Sequence, residues 1–264
     1  MKYILDAFGS LKTQIMGKPL FLFLDYDGTL TPLADHPDKA VLNQSTRKLL
    51  EKLAADDLIN ISIVSGRALW DIRNRVALQD VSYIGNHGLE MNGPGFNFQG
   101  FDLYPVREII EYLKWEINRE LVFFKGAFIE DKGIALSVHY RKLKEEETAI
   151  FKVFLDNLTS EFLFREQIRV FEGEKVFEIR PPVFWDKGQA MQWMLEQYQY
   201  DYAAPIPFYV GSSSADEEAF RQLKGKGVTV RVGRERTSLA DYYLTDQKQV
   251  TVLLKRLLNL KKRG

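Results

Sequence analysis

The chain has 264 residues and 45% of them are hydrophobic, enough for a substantial core and too many for a disordered polymer. Lys plus Arg and Asp plus Glu both number 36, so no net field draws the protein to nucleic acid or to a charged membrane. The absence of cysteine excludes disulfides, thiolate catalysis and cysteine–zinc sites, and no apolar run reaches the roughly 18 residues that span a bilayer.

The first 20 residues carry Lys2, Asp6, Lys12 and Lys18 and lack a long apolar stretch, so they do not read as a secretory signal, and a soluble, cytoplasmic protein is expected. The run at 20–24 (Leu-Phe-Leu-Phe-Leu) predicts a short strand buried on both faces. A helix is expected over 44–55, a strand over 59–64, a helix over 68–76 and a strand over 81–84. That alternation implies a parallel sheet with helices on both faces.

The middle reads differently. A helix opens at Pro105 and runs to about Leu121, strands are expected over 121–129 and 133–140, and a helix over 145–158. Strands follow over 162–170 and 175–179, and Pro181-Pro182 stops the module. The pattern is that of a small antiparallel sheet with helices on one side. Alternation then resumes with a helix over 188–198, a strand over 207–210, a helix over 217–223 and a strand over 228–232. Residues 1–104 and 183–264 are therefore expected to form one α/β domain, interrupted by a second module at 105–182. The basic end, with Lys255, Arg256, Lys261, Lys262 and Arg263 among leucines, fits a terminal helix with cations at its negative dipole end.

Ligands of such sheets sit beyond the carboxyl ends of the strands, and four of those ends carry candidates. The first gives Asp25 and Asp27 in Asp25-Tyr26-Asp27-Gly28-Thr29-Leu30; two carboxylates at i and i+2 of an extended segment face the same way. Like charges that close require a cation or a proton between them, which suggests a metal-bound carboxylate nucleophile beside a carboxylic acid. An ordinary Asp-Gly turn is the plain alternative. The second gives Ser65, Gly66 and Arg67, an anion-binding hydroxyl and amides or simply a helix cap. The third is Lys187-Gly188, where a lysine could neutralise a phosphoryl oxygen. The fourth runs from Gly211 through Ser212, Ser213 and Ser214 to Asp216 and Glu217, as helix-start acids or part of a cation site.

In this order the four segments resemble the haloacid dehalogenase-like (HAD) phosphohydrolases, and further matches narrow the resemblance to the trehalose-6-phosphate phosphatase family. Gly85-Asn86-His87-Gly88-Leu89-Glu90 is similar to a segment of that family in which Asn86 is usually glutamate. Glu130-Asp131-Lys132-Gly133 with Ser137-Val138-His139-Tyr140-Arg141, and Glu178-Ile179-Arg180-Pro181, resemble its cap signatures. The resemblance implies a HAD-like doubly wound parallel sheet, a Rossmann-like core with an inserted α/β cap domain acting as a lid. It further implies Mg²⁺-dependent hydrolysis of trehalose 6-phosphate in trehalose biosynthesis, through an aspartyl-phosphate on Asp25 with Asp27 as acid and base. Ser65, Gly66, Arg67 and Lys187 would hold the phosphate, and Glu130, Lys132 and Glu178, with His87, His139, Arg141 and Arg180, would meet the sugar.

One departure bears on the cofactor. The family's Mg²⁺ takes the Asp25 carboxylate, the carbonyl of Asp27 and an aspartate of the fourth segment, but here Ser212 and Ser213 stand where carboxylates are expected. Three outcomes are open: Asp216 takes over, the metal binds weakly with more water, or the chain is a non-catalytic sugar-phosphate binder. The enzymatic alternative is a phosphatase for another glycosyl phosphate, such as mannosyl-phosphoglycerate or sucrose phosphate. Association with a trehalose-phosphate synthase is undecided by the sequence.

Overall fold

The computed structural model describes residues 1–34, 36–98, 101–173, 175–198 and 205–261, with side chains excepted at 97 and 261. The chain divides into two compact units, Met1–Phe98 with Trp185–Gly264, and Gln99–Phe184.

The first unit is built on strands β1 (Lys2–Tyr3), β2 (Leu20–Asp25), β3 (Ile59–Val64), β4 (Ser82–Gly85), β5 (Glu90–Gly93), β6 (Phe96–Asn97), β11 (Ile206–Gly211), β12 (Val228–Val232) and β13 (Tyr242–Leu244). Among the described residues these form one sheet in the order β1-β13-β12-β11-β2-β3-β4-β5-β6. Pairing is parallel except at β4–β5 and β5–β6, a hairpin that the sequence did not announce. Helices α1 (Ile4–Ile15), α2 (Gln44–Ala54), α3 (Leu69–Val76) and α8 (Lys248–Lys261) cover one face. The other carries α6 (Lys187–Gln197) and α7 (Glu217–Leu223). Lys262 and Arg263, read as part of the basic helix end, lie outside the described residues.

The parity of β2 shows why its residues are all apolar and where its last residue points. Leu20, Leu22 and Leu24 enter the core under α1, α2 and α8, whereas Phe21 and Phe23 enter the core under α6 and α7. Each such side chain contributes about 1.5–3 kcal/mol when fully buried. Asp25 continues the odd set and is aimed toward the α6 side. Tyr209 of β11 has the same orientation.

The second unit has an antiparallel sheet in the order β7 (Phe128–Asp131), β8 (Leu136–His139), β10 (Val176–Arg180), β9 (Arg169–Gly173), with α4 (Tyr104–Glu120) and α5 (Glu145–Phe164). Leu136, Val138, Phe177 and Ile179 face Ile110, Leu113 and Ile117 of α4 and Phe151 and Leu155 of α5. Two expectations for this unit need correction. The strand placed at 121–129 begins only at Phe128, because Leu121 caps α4 and turns follow it. The strand placed at 162–170 begins at Arg169, because α5 runs on to Phe164. There Phe162 packs on Tyr112 of α4, ring centroids 5.9 Å apart, and that tertiary contact overrides the β preference of Phe-Leu-Phe. No helix among the described residues is long and apolar enough to cross a membrane.

Candidate active site

The exit of β2 is folded around one carbonyl. The oxygen of Tyr26 accepts from the amides of Thr29, Leu30 and Thr31 and from the Thr31 hydroxyl, which pulls 26–31 into a tight loop. Gly28 sits in this loop at φ 81, and a Cβ there would stand 2.6 Å from Ser212 Oγ. Both constraints demand glycine.

Asp25 is buried with both oxygens engaged. Lys187 Nζ donates to Oδ1 at 2.8 Å, Thr29 Oγ1 to Oδ2 at 2.9 Å, and Ser212 Oγ approaches Oδ2 at 3.4 Å. Lys187 is the first residue of α6, which is capped by the Asp186 side chain accepting from the Gln189 amide. Gly188 lets α6 start against α7, since a Cβ there would meet Glu218 O at 2.9 Å. Lys187 also donates to Asp216 Oδ1 at 2.7 Å, so one ammonium bridges two buried carboxylates.

The environment separates these three charges. Burial, and then the charge of Asp216, push the Asp25 carboxyl up to about 7 against the pull of Lys187. Burial opposes ionisation of Asp216 as well, but Lys187, the Ser213 amide and the Tyr209 hydroxyl outweigh it and hold its pKa below the usual carboxylate range. Burial works against the charge on Lys187, yet Asp216 and Asp25 hold it above the ordinary lysine range. Tyr209 is pushed well up, first by burial and then by Asp216.

Ser65, buried just past the end of β3, donates its amide to Ile84 O at 2.8 Å, and its hydroxyl accepts from the Arg67 amide at 3.1 Å. The loop after β4 cements this turn. Asn86 and His87 donate their amides to Arg67 O and Ser65 O, Asn86 Nδ2 donates to Glu90 Oε2 at 2.6 Å, and the His87 ring lies against Gly66. Asn86 and His87 adopt positive φ, 47° and 57°. His87 thus belongs to the Ser65–Arg67 turn of the first unit. Arg67, expected at the phosphate, reaches across to grip Asp27 on both oxygens, at 2.8 and 2.7 Å. The sequence carries no signal for that pair, whose members are 40 residues apart.

Asp216 differs from its expected place as a cation ligand. Its carboxylate accepts from Lys187, the Tyr209 hydroxyl, the amides of Ser212 and Ser213 and the Ser213 hydroxyl, five donors between 2.7 and 2.9 Å. The oxygen from this loop that reaches the Asp25 side is Ser212 Oγ, which also donates to Asp27 O at 2.9 Å. Three hard oxygens, Asp25 Oδ2, Asp27 O and Ser212 Oγ, therefore converge, one of them anionic. Mg²⁺ is commonly held by one or two carboxylates, with waters and substrate phosphate completing its shell, so these residues fit it with a single carboxylate.

In the second unit the face of the sheet turned away from α4 and α5 carries polar side chains. Glu130, Ser137, Glu178 and Phe171 lie in one register row across β7, β8, β10 and β9. Glu178 accepts from Lys132 Nζ at 3.3 Å and Ser137 Oγ at 3.1 Å and is paired with Arg180. Glu130 pairs with His139 at 3.0 Å, and the His139 ring stacks on Phe128 at 4.6 Å. Arg141 is exposed in the turn after β8 and does not join this group.

A family model described as trehalose-phosphatase matches residues 23–248. The chain belongs to the trehalose-phosphatase family. It is 30% identical over 272 aligned positions to trehalose-phosphate phosphatase B of Arabidopsis thaliana, an alignment covering 98% of this chain and 71% of that protein. It is likewise 30% identical to a trehalose 6-phosphate phosphatase of Zea mays, covering 97% of this chain and 74% of that one. Among solved structures, the C-terminal domain of the C. albicans trehalose-6-phosphate phosphatase superposes with a TM-score of 0.77 over 98% of each chain at 23% identity, which bears on the fold alone. As a trehalose-phosphatase family member the chain is a phosphoric monoester hydrolase with the HAD-like doubly wound sheet.

Proposed function

We propose that the protein hydrolyses trehalose 6-phosphate to trehalose and phosphate through an aspartyl-phosphate on Asp25. The observation that carries this reading is the buried Asp25 carboxylate at the exit of β2, fixed by Lys187 at 2.8 Å and by Thr29 at 2.9 Å. A carboxylate that burial has stripped of solvent is a reactive nucleophile once ionised. Asp25 attacks phosphorus, the bond from phosphorus to the sugar oxygen breaks, and Asp27 gives that oxygen a proton. Water then attacks the phosphorus and gives a proton to the Asp27 carboxylate, and the bond to Asp25 breaks. Lys187, the Ser65 hydroxyl and the Gly66 amide steady the transferring oxygens.

Asp25, the Asp27 carbonyl and Ser212 would hold a Mg²⁺ ion, which when bound offsets the repulsion between the nucleophile and a dianionic phosphate. Asp216 enters this scheme as the anchor of Lys187 and of the Ser212-Ser213 loop. Glu130, Lys132 and Glu178, with Arg180, supply partners for sugar hydroxyls, a chemistry suited to a polyhydroxylated substrate. The test is phosphate release from trehalose 6-phosphate beside sucrose phosphate and mannosyl-phosphoglycerate, wild type against Asp25→Asn. Preferred turnover of trehalose 6-phosphate that vanishes in the variant supports the reading. Equal turnover in the variant contradicts it.

A further inference from the structure

The guanidinium of Arg67 is spent inside the protein. Nε and Nη2 donate to Asp27 Oδ2 and Oδ1 at 2.8 and 2.7 Å, Nη2 also to Pro37 O at 2.9 Å, and Nη1 to Asp71 Oδ2 at 3.1 Å. An arginine has five N–H groups in a rigid plane, and these bonds use most of them. The group is also pinned from behind. Asp71 is itself held by Arg75 Nε at 2.7 Å, and the Arg67 guanidinium lies over the Tyr26 ring at 5.6 Å, while the Tyr26 hydroxyl is tied to Ala40 O at 3.0 Å. The Arg67 side chain is 6% exposed and that of Asp27 is 36% exposed, so the arginine is the fixed half of the pair and the aspartate faces outward.

We infer that Arg67 is a positioning residue for proton transfer at Asp27 and not a ligand of the phosphoryl group. The inference rests on the reading of Asp27 as acid and base. A planar fork bonded to both carboxylate oxygens sets the plane and rotation of the carboxylate. The lone pairs on the fork side are taken, so the proton moves on the outward side, toward the departing sugar oxygen. When the bond between phosphorus and that oxygen breaks, its electron pair stays on the oxygen and the Asp27 proton joins it. The carboxylate left behind faces the guanidinium. In the second half the water proton returns to the same outward side. No other reactant enters.

The two roles differ in what they do to leaving groups. A sugar alkoxide needs a proton as it departs, whereas the nitrophenolate of p-nitrophenyl phosphate does not. The experiment measures kcat/KM, which reports events up to leaving-group departure, for trehalose 6-phosphate and p-nitrophenyl phosphate on the same preparation of Arg67→Met, Arg67→Lys, Asp71→Asn and Asp27→Asn. Comparing two substrates on one sample cancels any loss of folded protein. The expected result is a fall on the sugar phosphate that exceeds the fall on the aryl phosphate by roughly tenfold or more in Arg67→Met. The same skew is expected in Asp27→Asn, and a smaller one in Arg67→Lys and Asp71→Asn. Inhibition by orthophosphate should stay within about threefold. Equal falls on both substrates in Arg67→Met, with weakened orthophosphate inhibition, would make Arg67 a phosphate ligand and overturn the inference. If Asp27→Asn skews the ratio and the Arg67 variants do not, the inference about Arg67 alone is wrong. If Asp27→Asn lowers both substrates equally, the acid role of Asp27 is wrong and takes the inference with it.

Discussion

Removing the charge of Lys187 should damage stability and turnover together. The ammonium donates to Asp25 at 2.8 Å and to Asp216 at 2.7 Å, and the three side chains are 3%, 6% and 0% exposed. In Lys187→Met the stem still fills its space, but two carboxylates face one another without a cation. Breaking a buried pair by deleting one partner costs about 3–5 kcal/mol, because the charge left behind is uncompensated. For a chain of this size that corresponds to a drop of roughly 6–20 °C in Tm. Asp25, which burial already pushes up to about 7, would respond by binding a proton. The loss should therefore be smaller at pH 5 than at pH 8, where that proton must be forced on. Turnover should fall by about 10²–10³, as for other single electrostatic donors. Melting by circular dichroism at both pH values, with phosphate release on the same samples, gives the assay. Adding Asp216→Asn to Lys187→Met should recover about 1–3 kcal/mol, since it removes one of the stranded charges. A Lys187→Met protein that melts within about 2 °C of the wild type at pH 8 would refute the bridge as the stabilising element.

Four further outcomes follow from the site. Ser212→Asp adds a second carboxylate to the oxygens around Asp25 and should tighten Mg²⁺ or Mn²⁺ binding by roughly tenfold or more, read by calorimetry or by Mn²⁺ resonance; unchanged affinity would show that Ser212 is not at the cation seat. Because the Asp25 carboxyl is raised to about 7 and must be ionised to attack, kcat/KM at low Mg²⁺ should decline as pH falls through about 7. Saturating Mg²⁺ should move that acid limb to lower pH, and a limb indifferent to Mg²⁺ would separate the ion from Asp25. Folding stability of the metal-free protein should respond in the opposite sense. The unfolded carboxyl releases its proton near 3.8 while the folded one keeps it to about 7, so this group's contribution declines as pH rises between those values. Glu178→Gln leaves a poorer acceptor for Lys132, Ser137 and Arg180 and should lower kcat/KM for trehalose 6-phosphate by roughly tenfold or more. A parallel loss on p-nitrophenyl phosphate would remove Glu178 from sugar recognition.

What the sequence revealed depended on the range of the interaction. The run at 20–24 and the following Asp-Gly turn were readable because a short apolar run and turn chemistry are local, and they put Asp25 at a strand end. Helix α1 was also written locally, in Ile4, Leu11 and Ile15 with Phe8 beside them, but Gly9 and Ser10 dilute the pattern. The β5–β6 hairpin is short, and its Pro94-Gly95 turn lies between strands too brief to show alternation. Phe162 and Phe164 read as strand residues because their own preference is β, and only the packing of α5 against α4 reverses it. In the site, residue types and order were legible but pairings were not. That Lys187 joins Asp25 to Asp216, that the Ser212-Ser213 turn closes on Asp216 and that Arg67 holds Asp27 are contacts made through loops, whose conformations no periodicity encodes.

A covalent phosphate on Asp25 can be trapped by rapid acid quench of the enzyme with trehalose 6-phosphate labelled in its phosphate. The quenched enzyme should carry acid-stable, hydroxylamine-labile label that maps by peptide mass spectrometry to the segment holding Asp25 and is absent from Asp25→Asn. Phosphate released at full rate with no labelled enzyme at any quench time, or label on another residue, would contradict it.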